Sequence, residues 1–239
     1  MAEQISAGAT NDLALLDRQI ATLFRLDAAG NLLAVNEQDE PSAPRLFLGR
    51  TKAGNRWHLR HDLPDDLRDE LARILATEPV AADLAAPPVT ATALRAALAA
   101  QAPLVNEWSG PAWHFPEALP GAEIQATVLT DAAPLQRTFP GWARDFATSQ
   151  PGAAILREGE AVAVCCSART SAGAAEAGVN TLPEWRGRGY ARAVVVAWAG
   201  AVRAAGRIPL YSTSWDNAAS RGVARRLELR LYAADFHLT

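Results

Sequence analysis

From residue 11 the chain sets apolar residues at helical spacing. "NDLALLDRQIATLF" places Leu13, Leu16, Ile20 and Phe24 on one side behind a capping Asn11, which predicts a helix over 11–24. "DAAGN" reads as a turn and "LLAVNE" as a strand, and "RLFLGRTKAGNRWHLRHDLP" reads as two short strands around "KAGN". "PDDLRDELARILATEP" opens with Pro and acids and sets Leu67, Leu71, Ile74 and Leu75 on one side, the pattern of an amphipathic helix. "TATALRAALAA" follows as a short helix behind Thr90. Over 101–123 the periodicity dissolves into Pro, Gly and aromatic residues, which predicts a domain boundary near "LPGA" at 119–122.

The second half alternates instead. "IQATVLT" (124–130) is a strand and 135–147 are helical pieces broken at Pro140. Residues 152–170 form two strands joined at "REGE", and "AAEAGVNT" (174–181) is a third. A buried helix over 191–205 carries Ala191, Val194, Val195, Trp198 and Val202 on one face and meets Gly206 at its end. "IPLYSTS" is a further strand, 216–229 a shorter helix, and "RLYAADFHL" closes the chain as strands. The expected fold is α/β in the broad sense: a mixed, mostly antiparallel twisted sheet flanked by helices in 122–239, preceded by a smaller α+β domain over 1–121.

With 239 residues, 49% apolar, the chain has enough material for a substantial core. Its formal charge of −3 argues against a nucleic-acid-binding partner. The only two cysteines, Cys165 and Cys166, are adjacent, which suits neither a disulfide nor zinc, and they read as small apolar core residues. Four histidines without metal-ligand spacing predict no bound metal. The first residues lack a basic start and a long apolar run, and the longest apolar stretch, 193–202, is too short for a bilayer, so the expectation is a cytoplasmic protein without a membrane partner.

The chemistry-bearing stretch is "TLPEWRGRGYARAVVVAWAG" at 181–200. Two glycines and two arginines stand between a strand and the start of a buried helix, where unpaired N–H groups and the peptide dipoles favour an anion. This is neither GxGxxG, since position 192 is Arg, nor a P-loop. "RGRGYA" at 186–191, the lead-in "TLPEW" and the Asn-led helix "WDNAASRGVARRLEL" at 215–229 together resemble the GNAT superfamily of acetyl-CoA-dependent N-acyltransferases. The resemblance covers roughly 124–239.

That resemblance implies acetyl-CoA as cosubstrate and no metal. It implies that Arg186, Gly187, Arg188, Gly189, Tyr190 and Ala191 hold the pyrophosphate. Pantetheine would run along the strand edge Val179–Leu182, including Thr181, and Asn217 and Ser220 would lie near the sulfur. Asn217 reads equally as an N-cap. For the catalytic groups it points to Glu176 as base, although Glu176 stands about one residue from the expected place unless a bulge corrects it, and a solvated edge glutamate is the alternative. Where the family often has a tyrosine to protonate the thiolate, position 224 is Ala, so Tyr211, Ser212, Ser214, Ser220, Tyr232 or water would take the role. The family's usual Gly at the helix end is Glu228. The implied activity is acetyl transfer to a primary amine of a small-molecule or peptide acceptor by direct attack in a ternary complex; the alternative is an inactive acyl-CoA-binding module that engages a partner through residues 1–121. The oligomeric state stays open. The aromatic stretch Trp108, Trp113, His114 and Phe115 reads either as interdomain packing or as a cap on the acceptor pocket.

Overall fold

A computed structural model describes residues 11–119, 121 and 123–239; the reading of the first ten residues, and part of the predicted break at 119–122, lie outside them. In chain order the elements are α1 (Asp12–Leu23), β1 (Phe24–Leu26), β2 (Leu32–Val35), β3 (Leu46–Thr51), β4 (Gly54–Leu59), α2 (Asp65–Leu75), α3 (Ala91–Gln101) and β5 (Glu107–His114). They continue with β6 (Thr127–Val128), α4 (Pro140–Arg144), β7 (Gly152–Arg157), β8 (Glu160–Thr170), β9 (Ala174–Thr181), α5 (Tyr190–Ala204), β10 (Ile208–Ser212), α6 (Ala218–Arg226) and β11 (Arg230–Leu238). Single 3₁₀ turns stand at Ala133–Leu135 and Pro183–Trp185.

Local chemistry accounts for the main starts and stops. The Asn11 side chain accepts from the Leu13 N–H at the start of α1, satisfying one of the four unpaired amides there. Thr90 precedes α3 as expected, but its hydroxyl donates to Glu78 instead of capping the helix. At the end of α6, Glu228 adopts φ +54, a left-handed position usually given to glycine, while the Leu229 N–H closes the turn on the Ala224 carbonyl.

Two β-sheets form. β1 and β2 make a small antiparallel pair, and nine strands make the main sheet in the order β4-β3-β11-β5-β10-β9-β8-β7-β6. Every neighbouring pair of the main sheet is antiparallel except β10 with β9. Strands from both sides of residue 121 interleave, since β5 lies between β11 and β10.

β5 occupies a stretch whose sequence predicts no regular structure. Pro111 has no N–H to give a ladder and Gly110 no side chain to pack, so the segment lacks a strand signature. It is held by pairing on both edges, through Leu210–Ser212 on one side and Arg230–Leu238 on the other. Gly110 is required there: a Cβ would stand 1.8 Å from the Thr213 carbonyl oxygen, which crosses over it.

The helices divide between the two faces. α5 lays Tyr190, Val194, Val195, Trp198 and Val202 against Ala153, Ile155, Ala163, Cys165 and Ala175, and Trp113, Phe115 and Tyr211 join the same cluster. α1 covers the opposite face, where Leu15, Leu16 and Ile20 meet Phe47, Ala112, Ala174, Leu210, Tyr232 and Ala233. α2 and α3 pack together over Leu46, Leu48, Phe236 and Leu238. The tryptophan-rich stretch therefore forms part of the core: Phe115 packs on Trp198 and Trp108 on His237. Cys165 and Cys166 are buried free thiols, both pushed upward by desolvation and so poor nucleophiles at neutral pH.

Candidate functional site

The parallel pairing of β9 with β10 covers only Ala174–Glu176 against Ile208–Leu210. Beyond Glu176, β9 continues along β8 to Thr181 while β10 pairs with β5 instead. The two strands part there, and β9 keeps a free edge. The Leu182 N–H bonds the Val162 carbonyl toward β8, so strand alternation turns the amide groups of Val179 and Thr181 toward the open edge. Leu182 itself does not join that edge: its N–H is committed to Val162, and its carbonyl accepts from Trp185. This corrects the expectation for Leu182 and leaves Val179 and Thr181 as the groups on the edge.

The edge leads into the glycine loop. Gly187 and Gly189 have φ of +74 and +79, a region that L side chains rarely adopt. A Cβ on Gly187 would meet nothing within 4 Å, and one on Gly189 only Ile124 at 4.0 Å. The glycines therefore serve the turn itself and leave open space above it. Gly189 is the N-cap of α5 and supplies no side chain, so the first amides of this 15-residue helix face outward without an intrahelical partner.

The arginines around the loop are held from beneath. Arg186 Nε donates to the Thr181 carbonyl at 3.2 Å and Arg188 to the Glu184 carbonyl at 3.3 Å. Trp185 lies between two guanidiniums, Arg188 at 4.8 Å and Arg157 at 5.8 Å, and stacks on Tyr190, whose hydroxyl accepts from Arg157 at 2.7 Å. Sequence reasoning missed Arg157 because it sits at the far end of β7, and only the sheet brings it to the loop.

Tyr211 points from β10 to the α5 side, where its hydroxyl stands 2.6 Å from the Ser220 Oγ in the first turn of α6. Burial pushes the phenol up to about 12, so it stays protonated and can donate. Asn217 is the N-cap of α6, its Oδ1 accepting from the Ser220 N–H at 3.0 Å. Ala224 is fully buried one helical turn past Ser220, in the same cluster as the Tyr211 ring.

Glu176 points to the α1 side, as its bond to Ser212 Oγ at 2.6 Å requires. It is 4% exposed; desolvation pushes its carboxyl up, opposed by the Ser212 bond and by Arg169. A bulge does occur here, but in the neighbouring strand, between Ser167 and Arg169 of β8. The solvated edge-glutamate reading fails on that burial. Tyr232 is also misplaced by the sequence reading: it is fully buried on the α1 side, and its hydroxyl donates to Gln19 Oε1 at 2.7 Å instead of approaching Ser220. The parity of β11 decides this, since Tyr232 and Ala233 both turn toward α1 at the bulge between Leu231 and Ala233.

On the α1 side of β8 and β9 lies a cavity of about 850 Å³, lined among others by Asn36, Glu37, Trp142, Arg169, Thr170 and Asn180. Its charges largely pair with one another: Arg169 with Glu37, Arg25 with Glu40 and Arg144 with Asp145. Among the described residues no group of three His, Cys, Asp or Glu side chains could hold a metal ion, and no helix is long and apolar enough to cross a membrane.

Residues 125–232, which carry the free edge, the loop and both flanking helices, match the family model described as GNAT acetyltransferase. The C-terminal half of the chain is a GNAT acetyltransferase domain. Solved GNAT structures similar to the chain include a GNAT-family protein from Novosphingobium aromaticivorans DSM 12444, 22% identical over 56% of this chain and 65% of its own, with a TM-score of 0.45. A GCN5-related N-acetyltransferase-like protein from Streptococcus suis 89/1591 is 19% identical over 56% of this chain and 62% of its own, at 0.41. A GNAT-family acetyltransferase from Colwellia psychrerythraea is 12% identical but spans 95% of this chain and 96% of its own, at 0.48. The match thus spans less than two thirds of the length of the first two structures. No curated protein matches the chain.

Proposed function

We propose that this GNAT domain transfers an acetyl group from acetyl-CoA to a primary amine of a small molecule, by direct attack while both substrates are bound. The observation that carries the reading is the free β9 edge leading, through a single 3₁₀ turn, into a left-handed glycine loop at the start of α5. An extended chain of amides can pair with Val179 and Thr181 as an added strand. A pyrophosphate can then meet the amides of Tyr190, Ala191 and Arg192, in space that a Cβ on Gly187 or Gly189 would fill. Arg186 and Arg188, on the same loop, can add charge-assisted bonds. When bound, acetyl-CoA supplies a thioester, an acyl group activated toward amines.

The chain's own contribution is to move protons on the two sides of the gap between β9 and β10. Glu176 closes the narrow end of that gap from the α1 side. Its Oε1 is fixed by Ser212, while Oε2 has no partner and is free to accept a proton from an amine. Burial raises the carboxyl toward the range where a base is effective at neutral pH. On the α5 side the Tyr211–Ser220 hydroxyl pair can donate to a departing thiolate. The cavity on the α1 side shares Arg169 with the strand opposite Glu176, and its size suits a small molecule.

Calorimetry on the wild type and on Gly189→Trp tests the cofactor site. The wild type should bind acetyl-CoA, and the variant should lose at least about tenfold in affinity, near 1.4 kcal/mol, while melting cooperatively. Equal affinity in the two proteins would overturn the site. Thiol release from acetyl-CoA with a panel of small amines then separates an enzyme from a module that only binds.

A further inference from the structure

We infer that the loop at 36–41, in the N-terminal half, selects the acceptor: Glu37 neutralises Arg169 on the cavity wall, so the cavity admits a hydroxyl-bearing primary amine and turns away one that carries a phosphate or carboxylate. The inference rests on the reading of this cavity, on the α1 side, as the place of the amine.

The cavity adjoins Glu176 both across the ladder and along the strand. Arg169, on its wall, stands directly opposite Glu176 in the pairing of β8 with β9. Asn180, also on its wall, lies four residues along β9 from Glu176, and alternation puts both on one face with Gly178 between them. Trp142 is seated on that face. Its Nε1 donates to Asn180 Oδ1 at 2.8 Å, and its ring lies so close over Gly178 that a Cβ there would stand 2.5 Å from Cη2.

The facing wall comes from the N-terminal half. The loop is closed by the Val35 N–H on the Pro41 carbonyl at 2.8 Å. Asn36 Nδ2 pins it to the Thr22 and Thr170 carbonyls at 3.0 and 2.9 Å. Glu37 bonds Arg169, and Gln38 accepts from the Thr148 hydroxyl at 3.4 Å.

Charge on the walls decides what fits. Three guanidiniums line the cavity against four carboxylates, and each guanidinium is paired: Arg25 with Glu40, Arg144 with Asp145, Arg169 with Glu37. Asp39 is left over, so the lining carries one net negative charge and offers an anion no uncommitted cation. The glycine loop is the reverse. Among the described residues, Arg157, Arg186 and Arg188 bond there to carbonyls and a hydroxyl, and their charge stays uncompensated. The chain thus leaves cations open where a pyrophosphate is to bind and closes them where the amine is to bind. What the cavity offers is neutral polar groups. The hydroxyls of Thr138 and Thr170 are buried without a partner among the described residues, a cost that a ligand's own hydroxyls would remove.

Thiol release from acetyl-CoA with glucosamine, glucosamine 6-phosphate and cyclohexylamine tests the selection. On the wild type, kcat/KM should be highest for glucosamine. Glu37→Gln keeps the shape, removes the charge and frees Arg169. The kcat/KM for the 6-phosphate relative to glucosamine should then rise about tenfold, the worth of one hydrogen bond to a charged group, with KM for acetyl-CoA unchanged. Adding Arg169→Gln to that variant should return the ratio to its wild-type value, which a merely structural role of Glu37 would not do. Asp39→Lys, an exposed change, should raise the ratio about threefold. An unchanged ratio in Glu37→Gln would overturn the selector; should that variant not fold, Asp39→Lys decides in its place. Cyclohexylamine used as well as glucosamine would overturn the hydroxyl preference. Saturation-transfer NMR with the three amines on the whole chain reads binding without turnover. The expected order of binding, with no thiol release from any amine, would retire acetyl transfer and leave the selector standing. Binding of none of them would overturn the cavity as the amine's place.

Discussion

The two faces of the main sheet are built from the same strands and differ in what they bury. Under α5 the contacts are apolar, and the indole of Trp198 satisfies its one polar atom with Ser167 Oγ at 3.1 Å. Under α1 the same sheet encloses Gln19, Glu176, Asp235, Tyr232 and His237, with three side-chain atoms among them left without a partner. A buried apolar face stabilises whatever the pH. A face of buried titratable groups stabilises only in the protonation states it was assembled to hold. The difference teaches that the α5 side gives the loop a rigid mount, while the buried carboxyls and imidazole that make stability depend on pH are kept on the α1 side.

The largest expected effect strikes the rigid side. Trp198 is fully buried at the centre of its cluster, so Trp198→Ala should cost about 3–5 kcal/mol in urea unfolding. The loss should be the same at pH 6.5 and pH 8, because no titratable group is removed. A loss that varied strongly with pH would break the distinction between the faces.

The next effect belongs to the α1 side and has a sign that can be worked out. Asp235 is raised from 3.8 to about 8 in the fold, so its contribution is fully present below 3.8 and is lost as pH rises through 8. Glu176, also raised, acts in the same direction. His237 is lowered from 6.5 to about 3, so its contribution is present above 6.5 and is lost as pH falls toward 3. The opposing slopes of Asp235 and His237 offset each other between about 4 and 6.5, which leaves a fall in stability from 6.5 to 8 of about 2 kcal/mol from Asp235 alone. Asp235→Asn should flatten that fall in chemical unfolding measured across the window, while Trp198→Ala should keep it.

Much of this division was open to sequence reading, and what was hidden has a common cause. Helical spacing marked α1, α2 and α5, and alternation marked β7, β8 and β9, because each pattern is local. Gly187 and Gly189 were legible from residue type alone, since a loop that needs positive φ favours glycine. β5 was hidden because its partners come from β10 and β11, far along the chain, and nothing local argues for Gly110-Pro111 as strand. The same distance hid what surrounds Glu176 and Asp235. Asp235 left a faint signal, as the one carboxylate inside the alternating "RLYAADFHL", but its meaning needed the order of strands across the sheet. Leu182 was misjudged on a smaller point, the side to which one N–H turns.

The smallest effect tests whether the polar rim above the rigid side is structural. Asn217 caps α6 through the Ser220 N–H, and Ser220 in turn holds the Tyr211 hydroxyl. Asn217→Ala should cost about 1 kcal/mol, whereas Asn217→Asp should retain the cap and favour the helix dipole. Neither change touches a buried charge, so both should keep the wild-type fall in stability between pH 6.5 and 8. If Asn217→Ala instead altered that slope, the hydroxyl pair on one face would be communicating with the carboxyls on the other through the gap between β9 and β10. The two faces would then have to be treated as a single titrating unit, with the gap as its centre and not its boundary.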